Sequence, residues 1–381
     1  MQLRRWIATI LAGLAPAGIV SPTAAGPPVE ERDARYLFRY FSDSDDVRVF
    51  SHYGNVQMEL RDGRTFFLQW NHEDVVVPGV QAPAGSPDAV DAITSASRPI
   101  ADAADAFRDY HKRRNEIKAS VEDARAELGY YVSTEADYFA QQLRGRYNVD
   151  AHDGMLNLAA GASYGWDRIT PLNDEDTRGT KDRKTTWHGD LVLTRVVSPT
   201  TVVRLGAEAS RVRGLQHNPY RNVYAGGAPV PELHPDARWR RDLFLRVSRY
   251  LRNRSSLKAD YRLYTDDWGV QSHTVGLRLT QYVTEDAIFR YRYRYYSQGA
   301  AWFYAPEYEI ASGIDGYLTG DYRLERFDAH LFGVQVRLNL AAVPAARGVL
   351  DGTALRVKYE RYFNSNNFSA NIFESSLTYQ F

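Results

Sequence analysis

Residues 285–299 read E-D-A-I-F-R-Y-R-Y-R-Y-Y-S-Q-G. Side chains of an extended strand point to opposite faces in turn. Phe289, Tyr291, Tyr293 and Tyr295 therefore share one face, and Arg290, Arg292 and Arg294 share the other. A soluble sheet would bury the aromatic face in a core and leave the arginines in solvent. A transmembrane barrel strand turns its aromatics to lipid and its charges to a wet lumen. One strand is compatible with both readings, and the two ends of the chain separate them.

The first 25 residues read as a secretory signal. Arg4 and Arg5 give a basic start, residues 6–20 an apolar run, and Thr23-Ala24-Ala25 a small-residue cleavage site before Gly26. The run is too short for a helical anchor. Losing this leader removes two of the 47 basic residues and none of the 47 acidic ones, leaving 45 − 47 = −2. That balance argues against a nucleic-acid partner. With no cysteine, neither disulfides nor thiolate metal sites are available. At the other end Phe373, Leu377, Tyr379 and Phe381 lie on one face, with Glu374, Ser376, Thr378 and Gln380 opposite. An ordinary edge strand could end this way. With the leader, it resembles the signal by which bacterial barrels are inserted into the outer membrane, which predicts the insertion machinery and outer-membrane lipid as partners.

Between the ends, runs of roughly ten alternating residues recur, the length of a transmembrane strand. Strands are expected near 36–41, 48–60, 65–76, 115–121, 125–132, 138–147, 155–166 and 186–197. Others are expected near 201–213, 241–251, 256–266, 273–283, 286–297, 327–340, 353–362 and 370–381. The all-β expectation is a transmembrane antiparallel barrel of about sixteen strands, with fourteen the main competitor, because 36–41 is short and 115–121 could be helical. Tight turns at Asp62-Gly63, Ser198-Pro199, Asn253-Arg254 and Thr284-Glu285 alternate with long links at 77–111, 167–184, 214–240 and 300–326. Short periplasmic turns and longer extracellular loops are the barrel pattern. The expected organisation is a signal peptide at 1–25, a short periplasmic segment at 26–33 and the barrel at 34–381. The link 77–111 either stays outside or folds in to narrow the lumen.

Parity assigns the faces. Leu205, Leu243, Leu245, Leu257, Val275, Leu277, Phe332 and Val334 are placed toward lipid. The lumen receives Arg204, Arg246, Asp260, Arg262, Arg278, Arg290, Arg292, Arg294 and Arg337. An Arg or Lys on the lipid face at mid-depth would cost roughly 2–4 kcal/mol. The pattern therefore requires an enclosed aqueous or protein-filled interior. Cationic rings bias passage toward anions, unless Arg and Asp/Glu on neighbouring strands simply neutralise one another.

Three clusters fall at the loop end. They are His217-Asn218-Pro219-Tyr220-Arg221 with Pro231-Glu232-Leu233-His234-Pro235, then 260–273 containing Asp266-Asp267-Trp268-Gly269 and Ser272-His273, then 295–304. His217, Glu232, His234, Asp266, Asp267 and His273 could converge as nitrogen and oxygen ligands of a divalent metal. The alternative is that the prolines stiffen the loop and its charges pair to fold it over the lumen. A catalytic reading is weak. Ser272 and His273 are adjacent on a strand and point apart, and His188 with Asp190 has no evident nucleophile. No G-x-S-x-G, phosphate-binding loop or dinucleotide motif is present, so no catalytic residue is assigned.

These motifs, H-N-P-Y-R, P-E-x-H-P-x-x-R and D-Y-R-x-Y-x-D-D-W-G-x-x-S-H-T with Ser133-Thr134-Glu135-Ala136-Asp137-Tyr138 upstream, resemble a family of uncharacterised bacterial outer-membrane proteins. That family is defined by a domain of unknown function. The resemblance spans most of the mature chain and is densest from His217 to Tyr304. Residues 91–99 depart from its upstream S-G-A-S-P-like loop. It implies an outer-membrane barrel, an association with envelope redox and lipoprotein genes, and no stated activity. The leading expectation is a non-enzymatic, arginine-lined channel for small hydrophilic solutes, with no cofactor. The alternative is a surface binding module with a metal or ligand at the mouth, and a membrane-embedded enzyme is third.

Overall fold

The computed structural model describes residues 29–77, 110–172, 179–342, 350 and 352–380. The leader, most of the long link after residue 77, and Phe381 lie outside the described residues. Sixteen long strands close into one antiparallel barrel. In chain order they begin with β1 (Val29–Asp43), β2 (Arg48–Leu60), β3 (Thr65–Val77), β4 (Tyr110–Glu122), β5 (Ala126–Thr134) and β6 (Tyr138–Ala151). Next come β7 (Leu156–Ile169), β8 (Asp182–Ser198) and β9 (Thr201–Gly214). Two short loop strands follow, β10 (Asn222–Ala225) and β11 (Ala228–Pro231), before β12 (Ala237–Leu251), β13 (Ser255–Asp266), β14 (Gln271–Tyr282) and β15 (Ala287–Gln298). A third loop strand, β16 (Glu307–Tyr308), precedes β17 (Phe327–Asn339), β18 (Thr353–Asn364) and β19 (Ser369–Gln380).

Closure is made by β1, which pairs with β2 on one side and with β19 on the other, from Asp33 opposite Gln380 to Asp43 opposite Ala370. No edge is left unpaired, which a strand in hydrocarbon requires. Leu205, Leu243, Leu277, Phe332 and Val334 are exposed on the outer wall, as are Tyr261 and Tyr291. An apolar belt of this extent is stable only against lipid. The barrel is a transmembrane one. Phe373 and Tyr379 are exposed on this same outer face.

The two ends are built differently. Both termini of the sheet lie at the end with mostly tight turns. There Asp62 accepts from the Arg64 amide, and Asp123 from the amides of Arg125 and Ala126. Gly63 takes a φ of 82°, open to a residue without Cβ. The opposite, loop end has three compact hairpins made with one device. Asp43, Asp266 and Asn364 each accept through a single side-chain oxygen from the amides two and four residues ahead. The two long described links, 215–236 and 299–326, do not stand away from the barrel. They fold onto each other.

Candidate functional site

The roof formed by these links begins with parallel pairing of β10 and β16, Tyr224 opposite Glu307 and Ala225 opposite Tyr308, while β11 pairs on the other side of β10. Leu233 bridges to Leu318. Two apolar clusters fill the space beneath. One joins Val223, Ala225, Tyr308 and Leu318; the other joins Trp268, Val270, Ala301, Phe303 and Leu324. Phe303 is fully buried and meets Trp268 edge-on, with ring centroids 5.2 Å apart. Tyr308 holds the backbone through its hydroxyl, which donates to the Thr319 carbonyl at 3.1 Å and accepts from the Thr319 amide at 2.8 Å.

Ion pairs lock the roof from within. Glu232 is buried, and its Oε1 accepts from Thr319 Oγ1 and from the Gly320 amide, both at 2.9 Å. Its Oε2 lies 3.8 Å from Arg221 Nη1 and 3.6 Å from His234 Nε2. Arg221 also reaches Asp321 at 2.8 Å, and Asp321 receives the Arg323 guanidinium at 2.7 Å. Burial alone would raise the Asp321 carboxyl, but Arg221 and Arg323 hold it well below the usual range. Burial, with His234 alongside, pushes the His217 imidazole down from its ordinary value. A second tie crosses to the far rim. Tyr220 donates from its hydroxyl to Asp137 at 2.5 Å, and Lys112 lies 3.0 Å from Asp137 and 2.8 Å from Glu135. The H-N-P-Y-R segment and the segment 133–138, distant in sequence, are thereby joined.

The six mouth residues do not converge. His217, Glu232 and His234 come together, the two imidazoles 5.8 Å apart between centroids. Asp266 is consumed by its turn, by Tyr264 at 2.7 Å and by Arg238 at 2.5 Å. Asp267 accepts from the Trp239 amide at 3.0 Å. His273 is on the outer wall, 2.8 Å from the Tyr261 hydroxyl. It repeats a pairing found at Tyr36 with His52 and at Tyr293 with His330. Its parity matches Val275 and Leu277, so it joins an aromatic girdle and not the mouth. Among the described residues, no group of three His, Asp or Glu side chains could hold a metal ion.

His188 Nε2 lies 3.7 Å from Asp190 Oδ1. The register sets Ser163 and Ser210 opposite His188 on the flanking strands, neighbours that linear reading missed. Neither hydroxyl hydrogen-bonds the imidazole among the described residues. Ser272 is buried on the lumen side, across the wall from His273.

By register, the nine predicted lumen residues share the face opposite the exposed apolar belt of Leu205, Leu243, Leu277 and Phe332. Arg262 bridges Glu208 at 2.6 Å and Asp242 at 2.7 Å, and Arg292 pairs with Glu360 at 2.8 Å. Asp260 lies flat against the strand beside it because Gly276 has no Cβ; one added there would come within 2.5 Å of its carboxylate. Arg204 donates to Thr194 and Arg290 to Thr280, both at 3.2 Å. Elsewhere like charges stand directly opposite: Arg204 and Arg246, Lys258 and Arg278, Arg278 and Arg292, Arg337 and Arg356. On the facing arc, Arg114 instead meets Glu73, Glu116 and Glu135. Between roof and wall lies a cavity of about 560 Å³, lined from above by Gln216, His234 and Arg323 and from the side by Arg240, Arg262 and Arg294.

Residues 19–372 match the model of a family described as "Protein of unknown function (DUF3570)". No curated protein matches the sequence. Among solved structures, the outer membrane protein OprD from Pseudomonas aeruginosa is 10% identical with a TM-score of 0.46, over 92% of this chain and 93% of that one. A loop-deleted OmpT, an outer membrane protein of Vibrio cholerae, is 9% identical with a TM-score of 0.43, over 94% and 100%. The siderophore receptor PirA from Pseudomonas aeruginosa is 12% identical with a TM-score of 0.43, over 90% of this chain. The chain spans only 57% of that receptor's length.

Proposed function

The chain belongs to the DUF3570 family, proteins of unknown function, and we propose that it is a channel favouring small hydrophilic anions. The observation that carries this is the set of like-charge pairs across neighbouring lumen strands. Like charges directly opposite one another destabilise a sheet by roughly 0.2–1 kcal/mol each. A lumen built only for stability would alternate signs, as the arc around Arg114 does. A lumen face on which Arg204, Lys258, Arg278, Arg337 and Arg356 form no ion pair among the described residues, while Arg292 pairs with Glu360, raises local anion concentration and opposes cations. Export by a leader cleaved after residue 25, and insertion guided by Phe373, Leu377, Tyr379 and Phe381, complete the proposal. They set the loop end outside the cell.

Single-channel recording in planar bilayers tests it. Under a salt gradient, refolded protein is expected to give discrete openings with a reversal potential on the anion-selective side. Folded protein that never conducts, or that prefers cations, would overturn it.

A further inference from the structure

We propose that the cavity under the roof is a binding site for a small organic carboxylate. The proposal deepens the channel reading, on which it rests only for the route by which the ligand arrives. Four features converge on the cavity. Its volume of about 560 Å³ lies in the range of small-molecule sites. Its cations are unequally satisfied. Arg238 is spent on Asp266, Arg262 on Glu208 and Asp242, and Arg323 on Asp321. Arg240 and Arg294 form no ion pair among the described residues, and both line the cavity. Arg240 Nε is buried without a hydrogen-bond partner. A guanidinium facing such a space recognises a planar carboxylate through paired N–H donors.

His234 is the second, independent sign of a ligand. Its side chain is 3% exposed, it lines the cavity, and neither ring nitrogen makes a hydrogen bond. Buried polar groups in native proteins are nearly always satisfied. Here the ring is fixed edge-on against Trp268 and Phe303, at centroid distances of 5.3 and 5.5 Å, with Nε2 3.6 Å from the Glu232 carboxylate and neither nitrogen within a hydrogen bond. The rest of the lining favours an organic anion over a bare inorganic one. Trp268, Tyr264 and Tyr296 supply aromatic surface, and Val270 and Leu324 aliphatic surface. A carboxylate would sit on Arg240 or Arg294, with the flat body of the molecule against Tyr264 and Tyr296.

Calorimetric titration of the folded barrel in detergent tests this without any need for conduction. Benzoate serves as the probe, with benzylamine as its cationic isostere and inorganic phosphate as the anion lacking an organic body. Saturable benzoate binding is expected, weakened roughly ten- to hundredfold by Arg240→Gln and by Arg294→Gln, since each removes a charge-assisted contact. Arg64→Gln, at an exposed pair in a turn at the far end, should leave binding unchanged. Folding of each variant is checked by heat-modifiable migration on gels. The site is overturned if folded wild-type protein does not bind benzoate, or if benzylamine or phosphate binds equally well. It is also overturned if both glutamine variants bind benzoate as wild type does. A barrel that binds benzoate but never conducts would refute the channel and leave the site standing. A conducting barrel without binding would do the reverse.

Discussion

Replacing Glu232 by alanine should release the roof and leave the barrel intact. The carboxylate accepts two hydrogen bonds at 2.9 Å, from Thr319 and the Gly320 amide, and its second oxygen faces Arg221 and His234. Truncating one partner of a buried charged pair typically costs about 3–5 kcal/mol, because the other charge is left uncompensated. Arg221 keeps Asp321 at 2.8 Å, which argues for the lower end, about 3 kcal/mol. Apart from Leu215 donating to Arg183 and Gly299 to Gln271 at its ends, the roof lies outside the barrel's strand pairing, so the loss falls on local opening. At 1.4 kcal/mol per tenfold, backbone amides in 215–236 and 299–326 should exchange roughly 150-fold faster. Amides of β13 and β14 should not change. Hydrogen exchange followed by mass spectrometry, in detergent at fixed pH, reads both regions in one sample. Glu232→Gln keeps an acceptor for Thr319 and Gly320 but turns an amide toward Arg221, so its effect should be smaller, roughly tenfold. An acceleration below tenfold for the alanine variant would refute the reasoning. So would equal acceleration in the strands, or a larger effect from glutamine than from alanine.

The roof should loosen in mild acid. The His217 pKa lies below 6.5 in the folded protein, so the opened roof takes up a proton first; stability is complete above 6.5 and falls as pH drops through the folded value. After correction for intrinsic rates, exchange in 215–236 should quicken from pH 7 to pH 5, and His217→Gln should flatten that slope. Asp321 is depressed from 3.8, so the stability it supplies persists above that value and is lost only as pH falls further below it. Tyr220→Phe deletes the hydrogen bond to Asp137 and should speed exchange around 215–224 about tenfold, with 299–326 unaffected. Neutralising Lys258 and Arg278 together should move the reversal potential toward zero without lowering the melting temperature, because it removes a like-charge pair.

All sixteen barrel strands were legible in the sequence, and β2 has the predicted bounds of 48–60. Alternation over an apolar belt leaves few other solutions. The misjudged lengths occur where strands pass beyond that belt. In β1 the stretch before Tyr36 is charged on both faces, and its pairing with residues 55–60 of β2, joined from Asp33 by pairing with β19, shows that it continues as strand. In β4, Ile117, Ala119 and Val121 are the sole outward apolar run in thirteen residues, too little to separate strand from helix by pattern alone. The placement of His273 was available from parity, since it shares a face with Val275 and Leu277. The fate of Asp266 was not. Its turn is visible in Asp266-Asp267-Trp268-Gly269, but its partner Arg238 is 28 residues away. Asp321 and Thr319 carried no local signal at all. They matter because 299–326 packs on 215–236, a contact that periodicity within either segment does not encode.

Placing the charges by region separates two roles that the sequence blurred together. In the roof, Arg221, Arg323, Glu232 and Asp321 meet one another, and Tyr220 ties the rim to Asp137 and Lys112. Such closure fixes a shape and leaves little charge to offer a solute. On the wall below, Arg240 and Arg294 have no ion-pair partner among the described residues, and like charges face one another from Arg204 to Arg356. On the channel proposal, these are the groups whose field a solute would feel. If the barrel conducts as proposed, substitutions in the roof should alter how often the path is open, while those on the wall should alter what passes. If Glu232→Ala changed ion selectivity as strongly as the loss of Lys258 and Arg278, roof and wall would have to be a single site, and this division would fail.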